Sequence, residues 1–197
     1  MTGKIRASLA GVAALALVLT AAPAQAAETS RSSGSIVDVL VATSGGGTPD
    51  GNANDYDLLV QAVLATGLDS TLADPGGTFT VFAPNDRAFL RLVSDLAGTA
   101  PASEAAALTT LTTVFTTEQI TDILLYHVVA GKKLGPITVI TSRSLTMANG
   151  GTVRPRGVFL RDETSTLRDP ALVLWRVNIP ANNGVIHTID RVLVPAM

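Results

Sequence analysis

The stretch that decides the fold lies near the C-terminal end of the chain, at residues 183–195, and reads Asn183-Gly184-Val185-Ile186-His187-Thr188-Ile189-Asp190-Arg191-Val192-Leu193-Val194-Pro195. An Asn-Gly turn signal precedes a run rich in β-branched residues, and a proline closes the run. This pattern predicts a strand over residues 185–194, with a histidine inside an apolar environment. An apolar run of this kind must be buried in a core, so other apolar segments of the chain must pack against it.

Two earlier segments are as apolar as this one. Residues 78–89 read Thr78-Phe79-Thr80-Val81-Phe82-Ala83-Pro84-Asn85-Asp86-Arg87-Ala88-Phe89, and residues 124–131 read Leu124-Leu125-Tyr126-His127-Val128-Val129-Ala130-Gly131. The β-branched and aromatic residues 79–83 predict a buried strand, after which Asn85 caps a helix. We expect that helix to direct Phe89, Leu92, Val93 and Leu96 inward.

In this order, the three segments resemble the motifs of fasciclin-like (FAS1) domains of the secreted bacterial type. The resemblance covers residues 35–195. It implies a single α+β domain in which N-terminal helices pack on a wedge of twisted β-sheets. It also implies that seven motif residues belong to the framework of the fold: Phe82, Pro84, Phe89, Tyr126, His127, Gly184 and His187.

The pattern along the rest of the chain agrees with an α+β fold, because helix signals dominate first and strand signals follow. Ser35 with Asp38, and Thr116 with Gln119, form capping boxes, and residues 103–115 have a helical composition. Strands are predicted at residues 137–141, 145–148, 158–161, 172–179 and 185–194.

The N-terminus has the features of an export signal. Lys4 and Arg6 precede an apolar run over residues 7–22, and small residues around Ala26 offer a cleavage site. We therefore expect a signal peptide at residues 1–26, a disordered leader at 27–34 and one domain at 35–195. The mature protein is expected outside the cytoplasm: extracellular, on the cell surface or periplasmic.

Composition narrows the classes of partner. Lys4 and Arg6 account for two of the 14 basic residues, so the 16 acidic residues outnumber the basic residues of the mature chain. A mildly acidic protein is a poor nucleic-acid binder, and we expect no such partner. No stretch after the signal is apolar enough to predict a membrane span, and the absence of cysteine excludes disulfides and thiolate metal sites.

Catalytic patterns are absent from the sequence. The chain has no Gly-x-Ser-x-Gly elbow, no His-Glu-x-x-His pair and no P-loop, so we predict neither an enzyme nor a cofactor. The histidines, His127 and His187, could in principle form a metal site with Asp122 or Asp190. An imidazole in an apolar run more often bridges buried backbone groups, and we expect that structural role for both.

One loop has the spacing of metal ligands. Asp50, Asn52 and Asn54 alternate as in the first half of a calcium loop, but Asp55 replaces the required glycine and Gln61 replaces the terminal glutamate. We therefore predict no metal, with calcium binding weak or absent. The alternative is a solvated loop in which Asn54 or Asp55 caps the next helix.

The resemblance also suggests recognition residues. In animal fasciclin-like matrix proteins, an Asp-Ile pair before the last motif and the region around the Tyr-His pair are associated with integrin adhesion. Here Asn178-Ile179 and Asp122-Ile123 stand at these places, and Asn178 lacks the carboxylate that integrins bind through a metal. These four residues are the interaction candidates.

The expected function is that of a secreted, non-catalytic adhesion module whose partner is a cell-surface or extracellular-matrix protein or glycan. The alternative is a secreted binding protein for a small apolar or glycan ligand. A large enclosed cavity would favour the ligand-binding protein, and an exposed apolar patch without a cavity would favour adhesion.

Overall fold

The computed structural model describes residues 34–196. The predicted signal peptide at 1–26 and all of the predicted leader except Gly34 lie outside the described residues. The helices have the following bounds: α1 Ile36–Thr43, α2 Asp57–Ala65, α3 Asp69–Leu72, α4 Asp86–Ala97, α5 Glu104–Val114, α6 Thr117–Leu125 and α7 Pro136–Thr141. The strands are β1 Phe79–Pro84, β2 Val128–Ala130, β3 Leu145–Thr146, β4 Thr152–Arg156, β5 Phe159–Arg161, β6 Ile179–Ala181 and β7 Gly184–Ile189.

The strands form two sheets, which confirms the α+β class. The larger sheet has the order β2-β1-β7-β6, and the smaller one has the order β3-β4-β5. Strands β1 and β7 run parallel and form the centre of the larger sheet, with Phe82 opposite His187. The first and last sequence motifs therefore lie side by side, and β2, which follows the Tyr-His pair, covers the other edge of β1.

Local capping signals set where the helices begin. Both predicted capping boxes form, at the start of α1 with Ser35 and Asp38 and at the start of α6 with Thr116 and Gln119. Asn85 caps α4 through Ala88, as predicted. These side chains satisfy amide groups that a helix leaves without partners in its first turn.

Several strand predictions are wrong. Residues 137–141 form α7, because Pro136 at the first helical position has its φ preset for a helix and overrides the β-branched composition. Residues 174–176 form a short 3-10 turn, so only residue 179 of the segment predicted at 172–179 reaches β6. Strand β7 ends at residue 189, and β2 and β4 were not predicted.

The core lies in two clusters of buried side chains. The larger one packs α1, α2, α4, α5 and α6 against β1 and β7, and the smaller one gathers Phe82, Tyr126 and Ile189 with residues of β4 and β5. Phe89, Leu92 and Val93 are buried as predicted, whereas Leu96 is exposed. No helix among the described residues has both the length and the hydropathy needed to cross a bilayer.

Candidate functional site

The two histidines are buried and each bridges backbone groups from distant segments. In His127, Nδ1 contacts the carbonyl oxygen of Ile123 at 2.7 Å, and Nε2 accepts from the amide of Leu193 at 2.9 Å. Since Nε2 must be unprotonated to accept, the proton is on Nδ1. Burial lowers the pKa of His127 to about 4, so the ring is neutral at physiological pH.

His187 is held in the same manner with the roles of its nitrogens exchanged. Nδ1 accepts from the amide of Asn178 at 3.1 Å, so Nε2 donates to the carbonyl oxygen of Leu134 at 2.7 Å. Burial lowers the pKa of His187 as well. In both imidazoles, both ring nitrogens are hydrogen-bonded to backbone groups, which confirms the predicted bridging. Neither ring therefore has a free nitrogen for a metal or a proton transfer.

The remaining framework residues of the motifs are also buried, and one residue beside them had no predicted role. Asn183 accepts from the amide of Ile36 at 2.9 Å and donates to the carbonyl oxygens of Leu72 and Asp74 at 2.7 and 3.0 Å. It therefore joins α1 and the end of α3 to β7. An Asn-Gly pair reads as a turn in sequence, which hides this role.

A large open groove of about 720 Å³ lies between the β4–β5 hairpin, the loop 164–169, α4 and the segment after β7. We call it the arginine groove, because five arginines and two aspartates line it: Arg91, Arg156, Arg161, Arg168, Arg191, Asp169 and Asp190. The composition does not indicate a basic groove, because the net charge of the whole chain is small and negative.

Only two of these arginines are ion-paired among the described residues. Arg91 contacts Asp190 at 3.0 Å, and Arg191 contacts Asp95 at 2.9 Å. Arg156, Arg161 and Arg168 are exposed and have no ion-pair partner in that part of the chain. The groove therefore has an excess of positive charge.

The hairpin that forms one wall places like charges opposite each other. In the β4–β5 register Arg154 faces Arg161, and Arg156 faces Phe159, whose side chain is 53% exposed. Like charges directly across a strand pair are destabilising. The hairpin thus presents a basic and aromatic outer face, while Val153 and Leu160 are buried on the opposite face.

The loop before α2 carries Asp50, Asn52 and Asn54, the weak calcium candidates at which no metal is predicted, and it is closed by its own hydrogen bonds. Asn52 donates to Asp55 at 2.8 Å and accepts from the amide of Asn54 at 3.4 Å, so these amides serve the loop itself. Neither Asn54 nor Asp55 caps α2. The carboxylate of Asp86 does so instead, accepting from the first two amides of the helix.

The comparisons with known proteins agree with this geometry. The family model described as the fasciclin domain matches residues 54–195, which include all three motifs. The chain belongs to the fasciclin domain family. A structure search adds a FAS1 domain pair from the insect cell adhesion molecule Fasciclin I, with a TM-score of 0.52 and 15% identity. That likeness supports the fold alone, and it covers 71% of this chain and 47% of the insect protein chain.

Two proteins of Synechocystis sp. (strain ATCC 27184 / PCC 6803 / Kazusa) are similar to this fasciclin domain in sequence. The uncharacterized protein sll1735 is 32% identical over 142 residues, which are 71% of this chain and 89% of that protein. Protein sll1483 is 28% identical over 142 residues, covering 72% of this chain and 68% of that protein.

Within the fasciclin domain, the four interaction candidates differ in accessibility. Asn178 is exposed and has a φ of 59°, while Ile179 is half-buried and packs on the larger core cluster. Ile123 is buried in that cluster, and Asp122 accepts from Asn149 at 3.0 Å. Of the four, only Asn178 is exposed, so it is the one most accessible to a partner.

Proposed function

We propose that this fasciclin domain is a secreted, non-catalytic adhesion module that binds an acidic glycan of a cell surface or matrix through the arginine groove. Export follows from the signal predicted at residues 1–26. The observation that carries the binding is the set of exposed arginines in the groove that lack ion-pair partners among the described residues. Their guanidinium groups are free to contact an anion.

Electrostatics supports an anionic ligand. The cross-strand pair of Arg154 and Arg161 opposes folding by about 0.2 to 1 kcal/mol. Arg161 lines the groove, so an anion bound to its guanidinium group there would offset part of that repulsion. Guanidinium groups form paired hydrogen bonds with carboxylates and other oxyanions, which makes arginine suited to acidic sugars.

The aromatic ring beside the arginines favours a sugar polymer over a simple anion. Phe159 exposes its ring in the same groove, next to Thr164 and Ser165. Ligand sites combine apolar surface with a few polar groups that fix orientation, and this groove offers both. The groove volume of about 720 Å³ lies within the range of about 300 to 1,000 Å³ that is typical of ligand sites.

A small apolar ligand is not favoured. The most apolar cavity lies among α2, α4, α5 and α6 and has a volume of about 60 Å³. Ligand pockets measure about 300 to 1,000 Å³, so this cavity holds at most a few atoms.

Affinity chromatography tests the proposal. The purified protein is applied to heparin and to immobilised polygalacturonate, with neutral dextran as the reference, and eluted with NaCl. We expect retention on both acidic polymers and none on dextran. Replacing Arg161 and Arg168 by Gln is expected to weaken binding about tenfold or more, since each charged hydrogen bond contributes about 1.5 to 3 kcal/mol.

The double variant Lys132→Gln with Arg143→Gln is the matched control, because it also removes two positive charges and both residues are exposed and do not line the groove. It should leave retention unchanged. Equal loss in the control and the groove variant would mean that net charge alone causes the retention. Absence of binding to either acidic polymer would refute the proposed ligand class.

A further inference from the structure

Five carboxylates converge where the loop before α2 meets three helix starts. Asp57, Asp86 and Glu104 are the first residues of α2, α4 and α5, and Asp50 and Asp55 belong to the loop. Oxygen atoms of Asp50, Asp55 and Asp57 lie within 4.8 Å of one another, and so do those of Asp57, Asp86 and Glu104. Asp57 is common to both sets and therefore lies at the centre of this acidic cluster.

The central carboxylate is buried without a hydrogen-bond donor. Asp57 has no accessible surface, and neither of its side-chain oxygens has a partner. The amide of Asp50 faces it but does not meet hydrogen-bonding geometry. Oδ1 of Asp55, a residue that is 4% exposed, is also buried and has no N–H or hydroxyl donor, and the carboxyl group of Asp86 lies within hydrogen-bonding reach of the Asp55 side chain. A buried carboxylate that lacks both donors and a counter-charge is strongly destabilising, so these atoms require a ligand.

The outer members of the cluster are held in place by backbone amides. Asp86 accepts from the amides of Asp57 and Leu58 at 3.1 and 2.8 Å, and Glu104 accepts from Gly51 at 3.0 Å. Asp50 accepts from the amide of Asn52 at 2.8 Å and is exposed. Asp86 and Glu104 are therefore held in fixed positions, and the cluster is accessible to solvent at Asp50.

No basic side chain neutralises the cluster in the part of the chain that the structure describes. The ion pairs found there join Arg91 to Asp190 and Arg191 to Asp95. Arg176 lies at the edge of the region, but it donates to the carbonyl oxygen of Asn54 and stacks on Tyr56 with its guanidinium carbon 4.9 Å from the ring centre. The helix starts supply partial positive charge, which is small against five carboxylates.

We propose that Asp50, Asp55, Asp57 and Glu104 form a site for a hard divalent cation, with Ca²⁺ the ion that suits it best. All four ligands are carboxylates, which can bind through one or two oxygen atoms, and Ca²⁺ prefers oxygen ligands of this kind. Mg²⁺ demands a stricter octahedral geometry and retains its waters. Asp86 supports the site by fixing the start of α2.

The ligand set differs from the one that sequence spacing suggested. Asp50 remains, whereas the side chain of Asn52 is hydrogen-bonded within the loop, and Asp55, Asp57 and Glu104 take the places that spacing assigned to Asn52 and Asn54. Burial and the neighbouring Asp55, Asp50 and Glu104 raise the pKa of Asp57 to about 6.

Thermal unfolding of the chelator-treated protein tests the site, with CaCl₂ as the ligand and NaCl at equal ionic strength as the reference. Extracellular calcium modules bind with Kd values of about 10⁻⁴ to 10⁻³ M. We therefore expect about 10 mM CaCl₂ to raise Tm by roughly 3 to 10 °C. Calorimetry should show one saturable site, and MgCl₂ should give a smaller shift.

Asp57→Asn should abolish the calcium-dependent shift and leave Tm in chelator unchanged or higher, because it removes a buried charge. Asp50→Asn, at the exposed side, should weaken calcium binding without changing Tm in chelator. Asp69→Asn, which removes one charge outside the cluster, should retain the full shift. A wild-type protein that gives neither heat nor a shift beyond NaCl, or an Asp57→Asn protein that keeps the shift, would overturn the proposal.

Discussion

Replacement of His127 by Ala should strongly destabilise the domain without affecting glycan binding. The ring joins the carbonyl oxygen of Ile123 at the end of α6 to the amide of Leu193 in the segment after β7. Removal of the ring leaves both groups buried without a partner, and each such group costs about 1 to 3 kcal/mol. We therefore expect the free energy of unfolding to fall by about 2 to 5 kcal/mol.

The same residue also predicts a pH dependence of defined sign. Above pH 6.5 the imidazole is neutral in the folded and the unfolded chain. Between pH 6.5 and 4 the unfolded chain binds a proton that the folded chain does not accept, because burial lowers the pKa of His127 to about 4. The free energy of unfolding should therefore decrease as the pH is lowered from 6.5 to 4, by about 3 kcal/mol from this residue alone.

The assay is urea unfolding followed by far-UV circular dichroism at several pH values. Trp175 is 85% exposed in its 3-10 turn, so its fluorescence reports poorly on burial. His127→Gln serves as the non-titrating reference, since glutamine can donate and accept. Carboxyls with a raised pKa, such as Asp162, titrate with the opposite sign, so the informative quantity is the difference between wild type and His127→Gln.

Two results would refute this reasoning about His127. One is a His127→Ala protein with unchanged stability that no longer binds the glycan, since that would make the residue part of the binding site. The other is a wild-type minus His127→Gln difference that stays flat between pH 7 and 4.

Further predictions concern single positions. Asn183→Ala removes three buried hydrogen bonds and should lower the free energy of unfolding by about 2 to 4 kcal/mol in urea melts. Gly184→Ala should lower Tm clearly, because a Cβ there would meet the carbonyl oxygen of Phe79 at 2.5 Å. Arg161→Glu should stabilise the hairpin by about 0.2 to 1 kcal/mol and weaken heparin retention, so that the protein elutes at lower NaCl. Asn178→Ala should cost about 1 to 2 kcal/mol because its φ is 59°, and Asn178→Gly should cost less.

Features encoded by neighbouring residues were predictable from the sequence. The capping boxes at Ser35 and Thr116 and the Asn85 cap depend on spacings of three residues, and all three form. The structural role of the histidines followed from their apolar flanks. By contrast, the segment at residues 137–141 has a strand-like composition and forms a helix, because Pro136 determines how it starts.

The candidate binding sites were not predictable in the same way, because their residues are far apart in sequence. The arginine groove brings Arg91, Arg161 and Arg191 together, and total charge gives no sign of it. The acidic cluster joins the loop to Glu104, which in sequence reads only as a residue suited to the start of a helix. Periodicity and short motifs do not indicate which residues distant in sequence lie together in the folded domain.

The parallel pairing of β1 with β7 determines the order in which this chain can fold. About 100 residues separate the two strands, so the centre of the larger sheet closes only when residues 184–189 are available. Until then β1 has an open edge, and contacts this distant in sequence make folding slow. A chain that ends before residue 184 should remain without its central sheet, and the open edge of β1 should make it prone to aggregation.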